Sequence, residues 1–207
     1  AMIGAALALA LAVAAPGMVA VEAGQCDARY ACEYHYQTST DLWYWDFSSL
    51  CSKTHYTAIQ RGRDNTNFTF NICGISDQIC APYLNNPLLP NQGVAVQNFD
   101  GNCVLSAEGA PVFSVVDTKN PATGGINISH SAAPEQIDDP NVCAMAPDGT
   151  VVSRKTTFVL GCDPSTTFSV QYADEEGECS YYIYIKSKFG CGRIYDGPDS
   201  QAAADKE

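Results

Sequence analysis

The chain has 207 residues, with 11 Lys and Arg against 23 Asp and Glu, a formal net charge of −12, and 46% hydrophobic residues. That balance excludes binding to a nucleic-acid backbone, which needs a basic stripe for counterion release. The apolar share excludes wholesale disorder, and the length suits one domain with a leader and a tail.

The opening stretch AMIGAALALALAVAAPGMVAVEAG is apolar and uncharged up to Glu22. Residues 1–23 read as a secretory signal peptide, with small residues around Ala20 and Ala23 where cleavage occurs, or as a retained hydrophobic anchor of about 20 residues. From residue 24 to 195 short β-type runs alternate with turn residues. EYHYQ (33–37) and LWYWDF (42–47) come first. FTFNIC (68–73) places Phe68, Phe70 and Ile72 on one face and Thr69 and Asn71 on the other, the period of two of a half-buried strand. The runs continue with GVAVQ (93–97), PVFSVVD (111–117), GINIS (125–129), SRKTTFVLG (153–161), TFSVQY (167–172) and CSYYIYIKS (179–187). Between them DNTN, NNPLLPNQG, KNPATGG, DDPN, APDGT and DPST carry the Pro, Gly, Asn and Asp chemistry of turns. The pattern predicts an all-β fold, a flattened barrel or sandwich of about nine antiparallel strands. Residues 196–207 form a polar tail.

Ten cysteines, at 26, 32, 51, 73, 80, 103, 143, 162, 179 and 191, contain no C-x-x-C. The three histidines, His35, His55 and His130, lack H-x₃₋₅-H spacing, so neither a zinc site nor a redox motif is indicated and no cofactor is expected. Dispersed and even in number, the cysteines predict five disulfides and an oxidising compartment. The sequons at Asn67 (Asn67-Phe68-Thr69) and Asn127 (Asn127-Ile128-Ser129) agree with passage through a secretory lumen and mark both residues for glycosylation. No nucleophile elbow, P-loop or H-E-x-x-H occurs, and the acids of DEEGE (174–178) suit a solvated loop better than a hydrolytic pair. No enzyme is predicted.

Five segments stand in an order that means more than any of them alone. They are WDFSSLC (45–51), FTFNICG (68–74), GVAVQ (93–97), Arg154 eight residues before Cys162, and EEGECSYYIYIKSKFGC (175–191). Together they resemble the mannose 6-phosphate receptor homology (MRH) lectin domains across residues 26–192. The resemblance implies a carbohydrate-binding domain reading terminal mannose or mannose 6-phosphate on N-glycans, in a receptor or sorting role. Gln97 takes the place of the family's glutamine, Arg154 of its arginine and Tyr181, two past Cys179, of its tyrosine. For the glutamate, Glu176 is the first candidate and Glu175 the second. The family also implies the disulfides Cys143–Cys179 and Cys162–Cys191. Cys73 is expected to pair with one of the earliest three cysteines.

These residue types suit a neutral hexose, whose hydroxyls each donate and accept. Arginine donates from a fixed fork without a proton to manage, an amide supplies one acceptor and two donors, and a carboxylate accepts from neighbouring hydroxyls. Because only the ionised acid accepts, binding should weaken in acid. Receptors that prefer phosphorylated mannose carry phosphate-contacting residues before the first cysteine of this pair. Here that stretch is DDPNVC (138–143), where Asp138 and Asp139 would repel a phosphate dianion. Unphosphorylated high-mannose glycan is therefore the expected ligand, with mannose 6-phosphate second. The competing function is a non-catalytic assembly or trafficking scaffold of the same fold, as in autophagy-type membrane proteins or a subunit of a glycan-processing complex. It predicts a stable protein partner. Membrane attachment would come through the amino-terminal segment or through a carboxyl-terminal anchor such as many relatives have. The expected location is the lumen of the endoplasmic reticulum, Golgi or endosome, or the extracellular space.

Overall fold

The computed structural model describes residues 32–78, 80, 93–132, 142–145 and 148–196, and the side chains of residues 142, 144 and 145 are not described. Cys26, the segment 1–23, Asp138, Asp139 and the tail from 197 lie outside the described residues.

In chain order the strands are β1 (Glu33–Gln37), β2 (Leu42–Asp46), β3 (Tyr56–Ile59), β4 (Thr66–Phe70), β5 (Ala95–Phe99), β6 (Asn102–Ala107) and β7 (Val112–Val115). A single helical turn, α1 (Pro121–Gly124), precedes β8 (Ile126–Ser131), β9 (Val142–Met145), β10 (Val151–Ser153), β11 (Lys155–Cys162), β12 (Ser169–Glu175), β13 (Ser180–Ser187) and β14 (Arg193–Ile194). Among the described residues no helix is long and apolar enough to cross a membrane.

All nine runs expected from the sequence contain strands. The described residues hold fourteen strands in all, and they do not close into a barrel. A five-stranded sheet, β12-β13-β11-β8-β7, faces a four-stranded sheet, β3-β4-β5-β6, while β1-β2-β14 and β9-β10 form smaller sheets. The expected antiparallel order has one exception. β13 inserts between β12 and β11 and runs parallel to β11, from Lys155 opposite Ser180 to Cys162 opposite Ser187.

The core follows from alternation. Ile126 and Ile128 of β8, and Tyr181, Ile183 and Ile185 of β13, point inward while their neighbours do not. Phe68 and Phe70 of β4 meet them from the facing sheet, with ring centroids 5.1 Å from Tyr181 and Phe158 respectively. The small sheet β1-β2-β14 packs on the same cluster through Trp45, whose indole N–H donates to the Gly190 carbonyl at 3.2 Å. Phe113 of β7 stacks with Tyr34 and Phe47.

Three disulfides are Cys80–Cys103, Cys143–Cys179 and Cys162–Cys191, the last two being the pairs implied by the resemblance, and Cys51 is also disulfide-bonded. Cys73 does lie against one of the three earliest cysteines. Its thiol is hydrogen-bonded to that of Cys32 and not covalently joined to it, which departs from the expected five disulfides. That bond and burial push the Cys73 thiol up, while the same bond draws Cys32 down. Asn67 lies on β4, where its side-chain oxygen accepts from Asn98 at 3.0 Å, and Asn127 lies half-buried on β8.

Candidate functional site

One rim of the two-sheet sandwich opens into a cavity of about 470 Å³, inside the range of small-molecule sites, roughly 300–1,000 Å³. Its floor comes from strands. Gln97 sits on β5 between Phe68 of β4 and Val104 of β6, on the core face of the sheet, and is 5% exposed. Tyr181 lies at the start of β13, opposite Thr156 of β11, and is 2% exposed. Arg154 occupies the step between β10 and β11. Its carbonyl accepts from the Ala132 N–H at 2.9 Å, and the next N–H, of Lys155, donates to the Cys179 carbonyl at 2.9 Å. The Cys143–Cys179 disulfide thus anchors the backbone beside the arginine.

The rim comes from turns. Arg63, Asp64 and Asn65 of the β3–β4 turn lead into Thr66, and Phe99 and Asp100 stand at the β5–β6 turn. The latter is a two-residue Asp-Gly connection with φ of 47° at Asp100 and 79° at Gly101, the left-handed pair that matches strand twist in tight hairpins.

The cavity's side chains form a connected set with the buried Gln60. One Arg154 amino group donates to the Tyr181 hydroxyl at 2.6 Å and approaches the Gln97 amide oxygen at 3.5 Å. The Gln97 amide nitrogen donates to the Gln60 oxygen at 3.3 Å, and the Gln60 nitrogen donates to Glu175 at 3.4 Å. Arg63 lies 3.5 Å from the same Glu175 oxygen. Arg154 Nε is buried and finds no hydrogen-bond partner among the described residues. Burial pushes the Tyr181 phenol up against the downward pull of the Arg154 charge, so it stays a neutral donor and acceptor at physiological pH.

Gln97, Arg154 and Tyr181 are thus brought together from positions far apart in the chain, and so is Glu175. The acid ranked first by sequence, Glu176, is not in this group. Register explains the difference. Glu175 stands directly opposite Tyr181 on the neighbouring strand, so both point the same way. One residue later the side chain turns to the other face, where Glu176 accepts from the Tyr184 hydroxyl at 2.9 Å, and burial followed by that contact push the Tyr184 phenol up to about 12.

Sequence reasoning missed Gln60, Arg63, Asp64 and Asp100. Two of the eleven basic residues fall within QRGRDN (60–65), and that concentration of scarce cations in one turn was the available signal. Among the described residues no group of three or more His, Cys, Asp or Glu is placed to hold a metal ion.

No family model matches the chain, and no curated protein matches it. Among solved structures it is similar to the solution structure of the MRH domain of Yos9 complexed with alpha3,alpha6-Man5, at 9% identity, covering 80% of this chain and 82% of that one, with a TM-score of 0.30.

Proposed function

We propose that the chain is a mannose-binding lectin domain of the MRH type, taking one terminal mannose of an N-glycan into the cavity formed by β5, β12, β13 and the step before β11. The observation that carries this reading is the convergence of the Arg154 guanidinium, the Gln97 amide, the Glu175 carboxylate and the Tyr181 hydroxyl on one cavity. Such a set offers fixed donors and acceptors to a ring of hydroxyls. Arg154 donates, Glu175 accepts, and Gln97 and Tyr181 supply the mixed contacts that tell one epimer from another. A site that bonds each hydroxyl discriminates sharply, because a sugar with a misplaced hydroxyl leaves buried polar groups unpaired.

Plain mannose is favoured over its 6-phosphate. Asp64, Asp100 and Glu175 outnumber Arg63 and Arg154 around the cavity, so a phosphate dianion would enter a net negative surface. The disulfides suit the secretory lumen or the extracellular space, where a glycoprotein receptor or sorting role would place this domain.

The test is a glycan array and calorimetry with mannose, glucose and mannose 6-phosphate, on the wild-type chain and on Arg154→Ala. Wild type should prefer mannose, and the variant should lose about 30-fold or more in affinity, since removing a buried charged donor costs roughly 2–3 kcal/mol. Equal mannose binding by both proteins would remove the site from this function. A wild-type chain that binds no hexose would remove the function itself.

A further inference from the structure

We infer that Gln60 is a positioning residue: its amide dictates which way Gln97 presents its oxygen and nitrogen, and it holds Glu175 as an acceptor. The consequence for binding rests on the mannose reading above, whereas the side-chain arrangement is testable without any sugar.

Gln60 is 3% exposed. It follows β3 directly and forms an isolated parallel bridge with Ala173 of β12, and its N–H donates to the Thr66 carbonyl at 2.9 Å. The next N–H, of Arg61, donates to the Ala173 carbonyl at 2.8 Å. The backbone is therefore clamped where the two main sheets meet, and the side chain lies between Gln97 and Glu175.

The ends of this row of side chains are chemically one-sided. Arg154 can only donate, and an ionised Glu175 can only accept. With Arg154 facing the Gln97 oxygen, Gln97 must turn its nitrogen towards Gln60. Gln60 must answer with its oxygen, which leaves its own nitrogen for Glu175. Reversing either amide would set donor against donor or acceptor against acceptor in a buried place. At 3.3 to 3.5 Å these contacts are long, so their main effect is direction, with little energy in each. Direction is what an epimer-reading site needs.

Glu175 and Asp174 of β12, Arg61 and Arg63 of the turn after β3, and Arg154 are the charged groups around Gln60. Asp174 is ion-paired with Arg61, and Glu175 lies 3.5 Å from Arg63, while Asp64 and Asp100 line the same cavity. Replacing Gln60 by a carboxylate of the same shape keeps the acceptor for Gln97 but abolishes the donor to Glu175 and sets two anions face to face. Uptake of one proton by that pair restores a donor.

The experiment uses the full chain with Gln60→Glu and Gln60→Leu, measuring α-methyl mannoside affinity by calorimetry between pH 4 and 8. Gln60→Glu should bind about tenfold more weakly at neutral pH and regain affinity on mild acidification, where wild type only loses it. Gln60→Leu should be weakened at every pH without that recovery. Wild-type affinity in Gln60→Glu, or a pH profile parallel to wild type, would overturn the inference. In the unliganded protein, the Gln60 side-chain amide resonances should move in Glu175→Leu, which removes the acceptor. Amide resonances indifferent to that replacement would overturn it too, even if the Gln60 variants fail to fold. A wild-type chain that binds no hexose counts against the mannose reading alone, and the resonance measurement still decides the role of Gln60.

Discussion

Tyr181 shows how one side chain serves the core and the site together. Its ring packs 5.1 Å from Phe68, while its hydroxyl accepts from Arg154 at 2.6 Å. Tyr181→Phe keeps the ring and removes the acceptor, leaving a second Arg154 donor unpaired beside the buried Nε. Mannose affinity should fall about 5- to 10-fold, worth roughly 1 to 1.5 kcal/mol. The melting temperature should move by only a few degrees. Calorimetry and thermal melts on the same sample check both halves of this expectation. Tyr181, Arg154 and Gln97 were singled out in the sequence through the family resemblance, and the fold brings them to one cavity. The choice between Glu175 and Glu176 was not legible. It depends on which residue of β12 stands opposite Tyr181, and register is a property of the paired strands. The scarce cations of QRGRDN mark the turn, but the place of Gln60 itself comes from a bridge to Ala173 that is distant in the chain.

At the level of strands, nine runs were readable, while β3, β6, β9, β10 and β14 were not among them. β8 and β13 alternate buried and less buried residues over six and eight positions, whereas β4 is buried on both faces, Thr69 as well as Phe68 and Phe70. β3, β10 and β14 have four, three and two residues, too few for a period of two to stand out. Nor does periodicity reveal the parallel pairing of β11 with β13, which places Arg154 and Tyr181 at the same end of adjacent strands. The opposite end of this pair is held by the Cys162–Cys191 disulfide and by close packing at Gly190. A β-carbon there would lie 2.7 Å from the Leu160 carbonyl oxygen and 3.0 Å from the Gly161 backbone. Gly190→Ala must therefore push this segment off β11, at a cost of about 1–3 kcal/mol. A lowered denaturant midpoint with unchanged slope is the expected result. Since the displaced segment lies at the end away from Arg154, mannose affinity should change less than twofold in the protein that remains folded.

Across the whole molecule, acid acts on stability and on binding through different groups. His130 is buried against Phe158, and burial lowers its pKa while the Gly109 carbonyl pulls it up less strongly. The folded state therefore resists protonating this ring, so its contribution is complete above the unfolded histidine value, roughly 6.5, and is lost as pH falls below it. Melting temperature should decline between neutral pH and pH 5, and His130→Asn should flatten part of that decline. An unchanged slope in the variant would assign the acid sensitivity to other groups. Sugar binding should respond to the carboxylate in the cavity instead, and the two acids at the end of β12 offer a direct comparison. They are adjacent in sequence, equal in charge, and placed on opposite faces by one step of register. Calorimetric titration of Glu175→Gln and Glu176→Gln with α-methyl mannoside is therefore the most direct measurement. The placement of Glu175, alone of the two, in the cavity predicts that Glu175→Gln loses at least about tenfold in affinity while Glu176→Gln stays within twofold of wild type. Equal losses in both variants, or a loss confined to Glu176→Gln, would contradict it.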